Sequence, residues 1–141
     1  MKKIIALATS LILFVFLGSQ LVPAAQQKFP GLEQQKTLFK TVTPHEAKIL
    51  MEIRKDLLLI YVRGQDELSE GYIVGSTLIP LWDIIKCTQR PPQNKPILLI
   101  CAVCGRSLAL GQLMSKNGWD EVYNLKGGIS AWKKAQLPLK Y

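Results

Sequence analysis

The sequence contains few of the residues from which metal sites and disulfide frameworks are built. Its 141 residues include three cysteines and one histidine. Three cysteines cannot form two disulfides, and their odd number leaves at least one thiol without a partner in the chain, which excludes a disulfide-rich scaffold. The spacings of Cys87 and His45 from the other cysteines match no zinc motif, so we expect no metal site.

Clustered positive charge is also lacking. Lysine and arginine outnumber aspartate and glutamate by 18 to 10, which gives a net charge of +8. These basic residues do not form a run interleaved with aromatic residues, so we expect no nucleic-acid partner. A mild positive field of this kind helps instead to attract small anions.

The apolar segment near the N-terminus is too short for a typical membrane span. Two lysines precede an apolar run from Ile4 to Leu17, and small residues follow at Ala24 and Ala25. A spanning helix needs roughly 20 apolar residues, whereas this order of charged, apolar and small residues is typical of a secretory signal peptide. We therefore predict a signal peptide over residues 1–25 and a periplasmic or secreted protein, which meets a membrane only if that segment stays uncleaved.

The rest of the chain divides into a short linker and one domain. Residues 26–36 are mostly polar and include a Pro-Gly pair, which indicates a linker. Residues 37–141 have the size of a single domain. No internal repeat is present, so one hydrophobic core is expected.

Strand and helix patterns alternate along this domain. The apolar runs 57–62 and 97–100 are typical of strands that are covered on both faces. Thr43, Pro44 and Glu46 form a capping box with proline in the first turn of a helix. The alternation predicts an α/β fold with a mostly parallel five-stranded sheet and helices on both faces. The predicted strands are 38–42, 57–62, 76–79, 97–100 and 121–125, and helices follow the cap at Thr43 and cover 81–86, 107–116 and 129–134.

Cys101 stands where a buried strand gives way to a helix. Ligands of open α/β sheets bind at the carboxyl ends of the strands, and helix N-termini offer free N–H groups with partial positive charge. Thiols in such places ionise readily and become nucleophiles. The turn from Cys101 to Ser107 is suited to an anion cradle, and Arg106 adds a positive charge to it. The pattern predicts a cysteine that attacks or carries an anionic sulfur group.

The turn resembles the active-site loop of rhodanese domains, in which four residues separate the cysteine from an arginine and a serine or threonine follows. In this chain the loop consists of Cys101, Ala102, Val103, Cys104, Gly105, Arg106 and Ser107.

Two further segments strengthen the resemblance. The segment from Val62 to Gly75, with Arg63 and Glu67, is similar to the first signature of the family, and residues 124–132 are similar to its closing motif. Tyr61 departs from the family, which usually has aspartate at that position. The resemblance covers roughly residues 38–139 and implies a rhodanese-like fold.

The resemblance implies an enzyme of the thiosulfate sulfurtransferase type. The Cys101 thiolate would take sulfur from thiosulfate or a persulfide donor, hold it as a persulfide and pass it to a thiol or to cyanide. Arg106 would hold the donor's negative charge, and the backbone of residues 102–107 would form the cradle. A pair between Arg63 and Glu67 would be structural, and no cofactor is implied beyond the sulfur itself.

Cys104 leaves alternatives open. It stands where a glycine is common in this loop. It is either a resolving thiol that attacks the Cys101 persulfide or a small substitution without a redox role. The alternative functions are therefore a thiol-disulfide or persulfide reductase that uses the Cys101-x-x-Cys104 pair, and a non-catalytic rhodanese-like binding module. A phosphatase on this scaffold would need a longer loop, with its arginine one position beyond Arg106.

Overall fold

Five parallel strands form the central sheet of the computed structural model, which describes residues 38–103 and 105–141. The order across the sheet is β1-β5-β4-β2-β3, and every neighbouring pair is parallel. The predicted parallel sheet is therefore confirmed, with β4 at its centre. The strands are β1 (Leu38–Val42), β2 (Leu58–Tyr61), β3 (Ser76–Leu78), β4 (Ile97–Ile100) and β5 (Glu121–Leu125).

Among the described residues three α-helices connect strands, a fourth follows β5, and a short 3-10 helix covers Gln65–Glu70 between β2 and β3. The 3-10 helix lies in a polar stretch for which the sequence predicted no element. Two helices begin slightly earlier than predicted, because each includes the glycine at its start. The helices are α1 (Pro44–Ile53), α2 (Leu81–Ile85), α3 (Gly105–Lys116) and α4 (Gly128–Lys134).

Both faces of the sheet are covered, as predicted. Alternate residues of β4 point to opposite faces, and all four are fully buried. Leu98 and Ile100 belong to the cluster that α1 and α4 complete, whereas Ile97, Leu99 and the following Cys101 belong to the cluster of α2 and α3. The continuous apolar run 97–100 is thus explained by burial on both faces.

The start of α1 has the predicted capping box. The Thr43 hydroxyl accepts a hydrogen bond from the Glu46 backbone N–H at 3.3 Å, and the Glu46 carboxylate accepts one from the Thr43 N–H at 2.7 Å. These bonds satisfy donors that would otherwise be unpaired at the helix end.

The predicted signal segment 1–25, the linker 26–36 and Cys104 lie outside the described residues. Within residues 38–103 and 105–141, no helix is long and apolar enough to span a bilayer.

Candidate active site

Cys101 follows β4 directly, at the carboxyl edge of the sheet. Its side chain is buried, with 1% of the residue exposed, and its thiol is free, as is that of Cys87. The neighbouring strand fixes the entrance to the loop, because the Val62 N–H donates to the Ile100 carbonyl at 2.9 Å. The sheet thus places the predicted nucleophile in the crevice where such folds bind ligands.

The N-terminus of α4 holds the first part of the loop. The Ile129 N–H donates to the Cys101 carbonyl oxygen at 2.9 Å, and the Ser130 N–H donates to that of Ala102 at 3.1 Å. In a trans peptide the N–H points opposite to the preceding carbonyl. The N–H groups of Ala102 and Val103 therefore point away from α4. This is the orientation they need to line an anion cradle on the side of the loop opposite α4.

Gly128 permits this close approach. Its φ is +56°, a left-handed conformation that favours glycine. A Cβ atom there would lie 2.3 to 2.7 Å from the carbonyl oxygens of Cys101, Ala102 and Val103. The sequence analysis recognised the closing motif but missed this role, and the signal for it was a pair of glycines at a helix start.

Arg106 lies in the same loop as Cys101 and is paired with an acidic side chain. Two of its nitrogens donate to the two carboxylate oxygens of Glu67, at 2.9 and 3.1 Å. The hydrogen bonds that Arg106 donates to Glu67 raise the pKa of Arg106 above its usual value, and its interaction with Cys101 adds to this effect. The predicted cation of the loop therefore lies beside the sulfur, but it already has an anionic partner.

Glu67 is held in place by the 3-10 helix and by further donors. It accepts hydrogen bonds from the Arg63 Nε at 3.0 Å and from the Gly64 backbone N–H at 2.8 Å. The hydrogen bond from Arg106 lowers the pKa of Glu67 to about 2, and the Gly64 and Arg63 bonds contribute to this. Glu67 is therefore a permanent anion between the scaffold and the loop.

Arg63 is the buried centre of this network, with a side chain only 2% exposed. It donates to the Tyr61 hydroxyl at 2.8 Å and to the Glu70 carboxylate at 2.5 Å, and the Tyr61 hydroxyl donates to the Gly71 carbonyl at 3.0 Å. Burial raises the pKa of Tyr61, which favours the neutral hydroxyl. The predicted pair between Arg63 and Glu67 is confirmed, and Tyr61, which departs from the family, braces it.

The other predicted loop residues occupy different environments. Val103 is exposed at the mouth, Ala102 is half-buried, and Gly105 is the exposed first residue of α3. Ser107 is fully buried in α3. The loop therefore presents neutral groups to solvent around Arg106.

Cys87 lies at a different place. It is exposed just after α2 and borders a cavity of about 230 Å³ that residues of α2 and α3 line, Leu110 and Met114 among them. Cys87 thus lies outside the loop that carries Cys101.

Glu67 makes the stability of the protein depend on pH in a defined window. Its pKa is 4.5 without these contacts and about 2 in the folded protein, so the unfolded chain takes up the proton first as the pH falls. The stabilisation is complete above pH 4.5 and is lost progressively towards pH 2. We expect urea denaturation to show Glu67→Gln less stable than the parent at pH 7, by on the order of 2 kcal/mol. The difference should shrink as the pH approaches 2, and a constant difference would contradict the assignment.

Known proteins have similar sequences and folds. The family model of the rhodanese-like domain matches residues 43–135. An uncharacterized protein of Bacillus subtilis, YqhL, is 37% identical over 98 residues, which cover 70% of this chain and 75% of that protein. The thiosulfate sulfurtransferase GlpE of Coxiella burnetii is 27% identical over 96 residues, covering 68% and 89%.

A solved structure agrees with these sequence matches. The crystal structure of a rhodanese-like domain protein from Staphylococcus aureus superposes with a TM-score of 0.61 at 28% identity, and covers 72% of this chain and 99% of that one. Together with the family match over most of the described residues, this shows that the chain belongs to the rhodanese-like family.

Proposed function

We propose that the protein is a sulfurtransferase in which Cys101 carries sulfane sulfur as a persulfide. The observation that carries the proposal is the position of Cys101, buried at the end of the central strand, with Arg106 close enough in the same loop for their electrostatics to be coupled. The loop backbone beside it points N–H groups of Ala102 and Val103 away from α4, where they can bind an anion. The name of the GlpE relative, a thiosulfate sulfurtransferase, supports the same chemistry.

The reaction proceeds in two displacements. The Cys101 thiolate attacks the outer sulfur of thiosulfate, a new S–S bond forms, and the old one breaks to release sulfite with its electron pair. An acceptor thiolate or cyanide then attacks the outer sulfur of the Cys101 persulfide and releases the Cys101 thiolate. A persulfide donor reacts in the same way and releases its thiolate. Such covalent catalysis replaces one difficult transfer by two easier ones.

The cell compartment forms a second part of this proposal. The signal segment predicted over residues 1–25 directs the domain to the periplasm or the outside of the cell. There the donor would be a small sulfur-containing anion or persulfide, and the acceptor a thiol.

Intact-mass measurement of the thiosulfate-treated protein tests the proposal. We expect the reduced protein, freed of reductant, to gain one sulfur atom, and we expect Cys101→Ser to gain none. Cys87→Ser is the matched control, because it removes an exposed thiol that does not belong to the loop, and it should still gain the sulfur.

Two results would contradict it. Sulfur uptake that persists in Cys101→Ser would assign the carrier to another residue. A reversible loss of two hydrogens without sulfur uptake, which disappears in Cys104→Ser, would favour a dithiol reductase that uses Cys101 and Cys104.

A further inference from the structure

The positive charge of Arg106 is compensated before any donor arrives. Both carboxylate oxygens of Glu67 face the guanidinium, at 2.9 and 3.1 Å. Such forked pairs have well-defined geometry. An anion that binds to Arg106 therefore has to share the guanidinium with a fixed carboxylate.

Glu67 is not free to move aside. The Arg63 Nε and the Gly64 N–H hold it from the scaffold side, and its side chain is only 21% exposed. Because the pKa of Glu67 is held at about 2, protonation does not remove its charge at physiological pH. The carboxylate is a permanent neighbour of the site.

The pair between Glu67 and Arg106 is not needed to satisfy the buried Arg63. Arg63 already has the Tyr61 hydroxyl and the Glu70 carboxylate as partners. Arg106 itself is 42% exposed, so solvent screens part of its interaction with Glu67. The structure thus places a carboxylate against the cation of the loop although the buried Arg63 has other partners without it.

The rest of the described loop offers no second cation. Ala102, Val103 and Gly105 are uncharged, and Val103 is 59% exposed at the mouth. Lys133 contacts the carbonyl oxygen of Glu70, whose carboxylate is bound to Arg63. Arg106 is thus the cation of the described loop residues, and its pKa is coupled to Cys101.

We propose that Glu67 is a positioning residue that selects the donor: by compensating Arg106, it disfavours the doubly charged thiosulfate and leaves the persulfide of a small organic thiol as the preferred donor. The inference rests on the proposed sulfur transfer through Cys101 and specifies its donor class. A dianion beside Glu67 meets more like-charge repulsion at short range than the reacting end of a persulfide, which carries one negative charge at most. The exposed, apolar Val103 suits an organic group at the mouth.

The transfer balances without a further reactant. The Cys101 thiolate attacks the outer sulfur of R–S–SH, the S–S bond of the donor breaks, and the electron pair leaves on R–S⁻. The outer sulfur keeps its proton, so the products are the Cys101 persulfide and the thiolate of the donor. No sulfur oxyanion forms that would need a second positive charge.

Single-turnover loading of Cys101 distinguishes the two donors. Thiosulfate and glutathione persulfide are each mixed with the reduced protein, the reaction is stopped with acid, and the rate of sulfur uptake is followed by intact mass. We expect Glu67→Gln to lower the half-saturating concentration of thiosulfate about fivefold, the size of one partly exposed charge contact. Its maximal loading rate, and its loading by glutathione persulfide, should stay within about twofold of the parent.

Two comparisons and the choice of temperature make the readout specific. Glu70→Gln removes the same charge from Arg63 but not from Arg106, so its half-saturating thiosulfate concentration should stay at the parental value. In an Arg106→Gln background, Glu67→Gln should give no gain, because the effect acts through Arg106. Because Glu67→Gln is expected to be the less stable variant, loading is measured well below its midpoint of thermal unfolding, where a gain in thiosulfate affinity is not a consequence of unfolding.

Failure of this inference differs from failure of the proposed function. If Glu67→Gln raises or leaves unchanged the half-saturating thiosulfate concentration while both donors still load Cys101, the donor selection is wrong and the sulfur transfer stands. A parent protein that prefers thiosulfate to glutathione persulfide would have the same meaning. If neither donor loads Cys101, the proposed function is wrong and this inference falls with it.

Discussion

Replacing Gly128 by alanine is expected to destabilise the protein by about 3 kcal/mol or more and to abolish sulfur uptake by Cys101. The left-handed φ of +56° is unfavourable for alanine, and the new Cβ would lie within 2.7 Å of three carbonyl oxygens of the loop. Either the loop or α4 must move, which breaks the hydrogen bonds from Ile129 and Ser130. Urea denaturation and intact-mass measurement with either donor check both effects.

Gly105→Ala is the matched control at the other end of the same loop. A Cβ atom at Gly105 would meet no heavy atom within 4 Å, and alanine is the better helix former. We expect this variant to be as stable as the parent or slightly more stable, and to load sulfur normally. If both variants were equally damaging, the loop would be sensitive to any added side chain, and the specific role of Gly128 would be refuted.

Arg63→Met is expected to cost about 3–5 kcal/mol, the range found when one partner of a buried ion pair is removed. The Arg63 side chain is 2% exposed and joins Tyr61, Glu67 and Glu70. Methionine fills much of the same space but donates none of these hydrogen bonds. The loss in the free energy of unfolding is measured by urea denaturation at neutral pH.

Arg54→Met provides the comparison for this result. Arg54 also binds two carboxylates, those of Asp56 and Glu121, but its side chain is 35% exposed. Solvent screens such a pair, so we expect only a small change in stability. Similar losses for Arg54→Met and Arg63→Met would mean that burial is not what makes Arg63 important.

Features that depend on short stretches of sequence were predicted well. The capping box of Thr43 and Glu46 is local, and the structure has it. The apolar run 97–100 has no polar face, so it had to be a strand covered on both sides, and it is the central strand of the sheet. Arg63 and Glu67 are close in the sequence, at positions i and i+4, and their pair was likewise predicted.

Contacts between distant segments were not predicted, because no periodic pattern encodes them. Glu67 was assigned to Arg63 alone, yet it also binds Arg106, which lies 39 residues further along the chain. The 3-10 helix that carries Glu67 has no buried residues and therefore gives no hydrophobic signal. The approach of Gly128 to the loop depends on the path of the backbone, which a motif alone does not specify.

The dependence of the loop on α4 also has a consequence for synthesis of the chain. A ribosome that has reached Leu125 has made all five strands and Cys101, but not the N–H groups of Ile129 and Ser130 that hold the loop carbonyls. The Cys101 thiol therefore exists before the segment that holds its loop. A product truncated before Gly128 would contain the sequence of every strand and still lack the N–H groups that hold the loop carbonyls, so under the proposed function the last residues of the domain would determine when the protein becomes active.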